Sequence, residues 1–220
     1  MKESNIQNDW LGIELDLSSI EEVCVASAEK EFLKGDGKRF AGTGYSQKAC
    51  LTIVADNVDA LLERGIFEPA LIAGYTGGKT NHAHIELEEI EELFSLADRE
   101  ALRKCGDPLP PEEPFKLYRG VSGENGLDRK RGFSWTSDLA VACSFAFGSG
   151  GNQHVFVAIC SAEEILCFVK DRDEEEFIIQ PTQVERLEIS DEEIKRNAIR
   201  LRERRTANKP LESWKPDLNS

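Results

Sequence analysis

The sequence predicts an α+β fold, with helices gathered in the first half and strands in the second. Two patterns predict it. Apolar residues recur at helical spacing in successive segments up to Lys104, whereas short apolar runs between turn residues dominate beyond Asp107-Pro108-Leu109-Pro110-Pro111. Composition adds that there is a core to build. The chain has 220 residues, 40% of them hydrophobic and 31% charged. That suits one domain, or one domain with an appendage, and is too apolar for a disordered chain.

Taken in order, Ser19-Ile20-Glu21-Glu22 starts a helix that runs to about Leu33 and stops at Gly35-Asp36-Gly37. Lys34 to Tyr45, rich in glycine and charge, reads as a loop. A second helix covers Val54 to Arg64 and ends at Gly65. A short third one spans Phe67 to Tyr75, ahead of Thr76-Gly77-Gly78. Glu86 to Lys104 is read as one helix, with Ile90, Leu93, Phe94 and Ala97 on the inner face and Glu88, Glu89, Glu91 and Glu92 toward water. The predicted strands are Phe115 to Tyr118, Gly132 to Thr136, Val155 to Cys160, Ile165 to Val169, Phe177 to Ile179 and Val184 to Ile189. A helix capped by Asp138 interrupts them, and a final one runs from about Asp191 to Arg205.

The formal net charge of −14 argues against a protein that coats nucleic acid or an anionic membrane by bulk attraction. From Ser190 to Lys209, however, seven basic residues face four acidic ones, so base collects in the last helix. Acids in the first turn and bases in the last also suit the helix dipole. Six scattered cysteines without a C-x-x-C pair, behind a polar start with no secretory run, read as free thiols of a reducing cytoplasm. They lack zinc-ligand spacing. His82-Ala83-His84 without a third ligand reads as a surface loop, His154 as structural, and no metal is expected.

Three segments of the second half have the content of a reactive site. Leu117-Tyr118-Arg119-Gly120 places one arginine at a strand end beside a residue without a side chain. Arginine can hold a phosphate there while the bare backbone approaches a flat ring. Phe133-Ser134-Trp135-Thr136-Ser137-Asp138 sets hydroxyls at the junction of strand and helix, followed by the small-residue loop Gly148 to Asn152. Asp173-Glu174-Glu175-Glu176-Phe177-Ile178-Ile179 carries a run of acids directly into an apolar strand. Alternation puts Glu174 and Glu176 on one side and Glu175 on the other. Two carboxylates that project together repel, and stabilising a sugar cation is a reason to keep them so.

In that order, Arg, then Ser/Thr, then Glu-x-Glu followed by aliphatic residues and Pro181, the segments resemble the ADP-ribosyltransferases of the Arg–Ser–Glu class. The resemblance covers about Phe115 to Ile189, a third of the chain. It implies a split β-sandwich of two packed, mainly antiparallel sheets. The layout would be a helical region over 1–110, a catalytic core over 111–190 and a C-terminal helix and tail over 191–220. It further implies NAD as co-substrate. Arg119 would hold a phosphate or ribose of NAD, and the Gly120 backbone the nicotinamide carboxamide. Ser134 and Thr136 would support the ribose and steady the glutamate. Glu176 would be the catalytic carboxylate and Glu174 would orient or deprotonate the acceptor. Phe145 joins the NAD-binding set. The loop 147–153 corresponds to a phosphate–nicotinamide loop and 170–173 to a substrate-recognition turn. One departure stands out: Trp135 falls where the family's first middle serine would be. Either Ser134 takes that role by a small shift, or Trp135 supplies a stacking face.

The resemblance thus implies a cytoplasmic mono-ADP-ribosyltransferase, of the kind used as toxins or effectors and met by regulatory or antitoxin partners. Glu at the first Glu-x-Glu position goes with protein arginine as acceptor. RNA or DNA, reached through the basic last helix, is the alternative acceptor. NAD hydrolysis and silent NAD or ADP-ribose binding are the alternative activities.

Overall fold

The computed structural model describes residues 12–77, 85–111, 113–123, 132–148, 151–171 and 174–207, with Asp171 and Glu174 described through their backbone. The chain divides into two compact units, Met1–Pro108 and Leu109–Ser220. Among the described residues the first holds helices only, and the second holds two small antiparallel sheets with two α-helices and a short 3-10 helix, Ala162–Glu164. The α+β organisation expected from the sequence is present.

In the first unit, α1 (Glu22–Lys34) ends at Gly35, whose φ of 76° is the left-handed conformation that favours glycine. The stretch read as a loop then contains a helix, α2 (Gly37–Gly42). Asp36 caps it by accepting the Arg39 N–H, and Phe40 and Ala41 are buried. Gly37 does not break structure here. A side chain at this position would overlap the Ile66 carbonyl, so the glycine lets α2 press against the chain entering α5 (Phe67–Gly77). The predicted helix over 54–64 is two, α3 (Cys50–Ala55) and α4 (Val58–Arg64). Between them lies Asn57, whose amide donates to the carbonyls of Asp16 and Ile53 and whose Oδ1 accepts the Asp16 N–H. The stretch read as one helix over 86–104 is likewise α6 (Leu87–Leu96) and α7 (Arg99–Lys104), broken where Asp98 caps α7 through the Ala101 N–H.

The second unit begins with β1 (Phe115–Ser122), which runs antiparallel to β3 (Gln153–Cys160), and β3 pairs with the two-residue β6 (Glu185–Arg186). The other sheet has the order β2 (Ser134–Trp135), β5 (Glu174–Ile179), β4 (Ile165–Asp171). One core serves both sheets. Phe115, Leu117 and Phe156 of the first meet Trp135, Phe168, Phe177 and Ile179 of the second. Helix α8 (Leu139–Gly148) covers the outer face of β1 and is itself packed by α9 (Asp191–Ala207). The last helix, set apart from sequence as a segment over 191–220, thus belongs to the fabric of the second unit. Its Ile194 joins Ala142, Cys143, Ala146 and Val155 in a second core cluster.

Four of the six cysteines are buried free thiols, and Cys24 and Cys105 are half-buried. Burial pushes Cys143 and Cys160 up to about 11. Among the described residues, no helix is long and apolar enough to cross a membrane.

Candidate active site at the parting of the two sheets

The site begins with a strand that changes partners. Ser134 and Trp135 pair with Ile178 and Phe177 of β5. The next residue, Thr136, pairs instead with Tyr118 of β1, exchanging both backbone hydrogen bonds (2.7 and 2.9 Å). Had the first pairing continued, Thr136 would face Glu176. Because the strand leaves, Glu176 stands where the sheets part.

Ser134 Oγ donates to Glu176 Oε1 at 2.5 Å, the diagonal neighbour across the strand pair. Arg119 Nη1 donates to the Ser134 carbonyl at 2.7 Å. The arginine comes from the core-facing side of β1, between Leu117 and Val121 and in phase with both. Cation, hydroxyl and carboxylate are therefore linked in one chain of contacts drawn from β1, β2 and β5.

Gly120 adds backbone groups. Tyr118 turns its N–H and C=O to Thr136, so alternation turns those of Gly120 the same way, away from β3. The opposite residue agrees: the Val155 carbonyl accepts from the Leu187 N–H on the far side of β3. Gly120 thus offers a donor and an acceptor side by side at the strand edge. The glycine also has a packing reason, since a side chain there would overlap the Ala142 carbonyl of α8.

The remaining predicted residues fall as follows. Trp135 is 1% exposed, part of the inter-sheet core, and its indole N–H is held by the Gly132 carbonyl at 2.9 Å. It therefore presents no stacking face to a ligand in this structure, and the hydroxyl at the glutamate belongs to Ser134. Thr136 is buried, and its Oγ1 accepts the Asp138 N–H at 3.2 Å, so this contact serves the start of α8. Phe145 is 58% exposed on α8, the helix that covers Gly120. Glu174 is the first residue of β5, its backbone opposite Asp171. The loop 147–153 and the turn 170–173 lie partly outside the described residues, and His82 and His84 lie wholly outside them. His154 sits in β3 opposite Val121, and burial followed by the nearby Arg186 lowers its pKa.

Sequence reasoning missed two links around this site. Glu175, read only as the residue on the other side of the strand, accepts from Ser137 Oγ at 2.9 Å and meets Lys170 at 3.5 Å. Arg204 of α9 pairs with Asp138 at 2.6 Å while Asp138 caps α8 through the Ala140 N–H. Burial pushes the Asp138 carboxyl up, but the Arg204 guanidinium and the Ala140 N–H outweigh it and hold the pKa below the usual carboxylate value. The Ser137–Glu175 and Asp138–Arg204 contacts have no local signal, since they join residues 38 and 66 positions apart.

No protein-family model, curated protein or solved structure matches this chain. Among the described residues, no group of three or more His, Cys, Asp and Glu side chains could hold a metal ion. The first unit has its own open cleft, lined by Glu14, Asp16, Asp56 and Asp59 among others, where burial raises the Asp56 carboxyl. It contains none of the residues of the Arg119–Ser134–Glu176 chain.

Proposed function

We propose that the chain is a mono-ADP-ribosyltransferase that cleaves NAD between nicotinamide and ribose and transfers ADP-ribose to a macromolecule, with protein arginine as the acceptor. One observation carries this reading: Arg119, Ser134 and Glu176, far apart in sequence, are linked by hydrogen bonds where the two sheets part. In the family that the motifs resemble, the same three residue types in the same order serve NAD. The fold proposed with it is that family's split β-sandwich.

The chemistry proposed for each residue draws on the resemblance and is supported by the contacts described above. The Gly120 N–H and C=O match the acceptor and donor of a carboxamide, and Phe145 offers an exposed aromatic face to a ring. Arg119 supplies fixed positive charge for a phosphate. Glu176, oriented by Ser134, supplies negative charge to a ribose that becomes cationic as its bond to nicotinamide breaks. The bonding pair leaves with the nicotinamide nitrogen. An acceptor nitrogen then bonds to the same ribose carbon and gives up a proton, for which Glu174 is the proposed base.

Incubation with labelled NAD and a cell lysate tests the reading, with Glu176→Gln in parallel. Label on protein that is lost in the variant is the expected result. Label on RNA or DNA would change the acceptor, and free ADP-ribose alone would make the enzyme a hydrolase. Absence of nicotinamide release with NAD still bound would leave a binding module and refute the transferase.

A further inference from the structure

We infer that Gly132 is a positioning residue for Arg119: lacking a side chain, it leaves the space that the guanidinium fills and so sets where the site's cation lies. The functional consequence rests on the proposed use of NAD; the placement itself does not.

Gly132 is buried just before β2. A Cβ built on it would overlap Arg119 Nη2, stand 2.6 Å from Cζ and 3.2 Å from Nε. All three nearest atoms belong to the end of one flexible side chain. At Gly37, Gly44 and Gly120, by contrast, the nearest atom is backbone, and the fold itself forbids a side chain. Gly132 is also absent from the glycines with positive φ, which are Gly35, Gly65, Gly123 and Gly151, so its conformation does not demand glycine either. What remains as the reason for glycine is the arginine.

Gly132 cannot easily give way. Its carbonyl accepts the indole N–H of Trp135, a core residue. On the other side Arg119 Nη1 is tied to the Ser134 carbonyl. The guanidinium is thus held between a bare Cα and a carbonyl, and Ser134 in turn holds Glu176. A methyl at position 132 would push the guanidinium off the Ser134 carbonyl, since the three atoms nearest to it all belong to that group.

The test is Gly132→Ala in the full chain, alone and with Arg119→Ala, read by three measurements. The Arg119 Nε–H resonance, identified by its loss in Arg119→Lys, is expected to shift in Gly132→Ala. Affinity for NAD is expected to fall by about tenfold or more, the loss that goes with a displaced charge-assisted contact. In the Arg119→Ala background Gly132→Ala is expected to change neither NAD affinity nor melting temperature, because the overlapping group is gone. An unmoved resonance, or a loss of stability that persists in the Arg119→Ala background, would overturn the inference. A wild-type protein that binds no NAD would overturn the proposed function instead. The resonance and the melting temperatures would still decide the placement.

Discussion

Gly120→Ala is the sharpest stability prediction, because the obstacle it meets is backbone. The added Cβ would overlap the Ala142 carbonyl oxygen and lie 2.7 Å from that carbonyl carbon and 2.8 Å from Ala146 N. Ordinary contact needs 3.4 Å or more, and no rotamer change relieves a clash with helix backbone. Helix α8 would have to retreat from β1 by on the order of 1 Å or more. That opens the cluster of Ala142, Cys143, Ala146, Val155 and Ile194 beneath α9. Forced overpacking of this kind costs about 3 kcal/mol, or roughly 10 °C of melting temperature for a unit of this size. Urea and thermal unfolding measure it through Trp135 fluorescence, with Trp10 and Trp214 replaced by Phe so that the signal reports the second unit. A melting temperature within about 2 °C of the parent would refute the described packing of α8 on β1.

Other consequences follow from single contacts. Ser134→Ala removes the hydroxyl that holds Glu176; nicotinamide release is expected to fall by about tenfold, about 1.4 kcal/mol, with little change in melting temperature. Arg204→Gln removes the cation beside Asp138. The lowered Asp138 pKa makes its contribution to stability fully present above the unfolded value near 3.8 and lost as pH falls through the folded value. Melting temperature measured against pH should therefore show a weaker acid limb in Arg204→Gln, with the Asp138 carboxylate titrating at higher pH by carbon NMR. Trp135→Ala removes a fully buried ring from between the sheets and should cost about 3–5 kcal/mol, measured by urea unfolding followed by far-ultraviolet circular dichroism.

The features legible in sequence were those that depend on neighbours along the chain. Gly35 and Gly65 mark helix ends because both have the positive φ that other residues avoid. Strand alternation separates Glu176, which meets Ser134, from Glu175, which meets Ser137, and puts Phe177 in the core. Illegible features depend on distant segments. Gly37 and Gly42 read as loop, yet α2 forms because it packs on α5 and Asp36 caps it. The break between α3 and α4 involves Asn57, bound to the backbone of Asp16 41 residues earlier. The parting of the sheets at Trp135–Thr136 has no local signature, since both residues look like ordinary strand. A tryptophan between Ser134 and Thr136 reads equally as ligand platform or core, and only the opposing Phe115, Leu117 and Phe177 place it inside. The order of Arg119, Ser134 and Glu176 was legible, whereas their linkage through one carbonyl and one hydroxyl was not.

Glu176 is the centre of the account, and the most direct measurement is nicotinamide release from NAD by the purified protein and by Glu176→Gln. The change keeps the shape of the side chain and an acceptor for Ser134 Oγ, but removes the negative charge. The account predicts release by the wild type, a fall of at least about 100-fold in the variant (about 2.7 kcal/mol of transition-state stabilisation), and comparable NAD affinity in both. Equal release by the two proteins would contradict it.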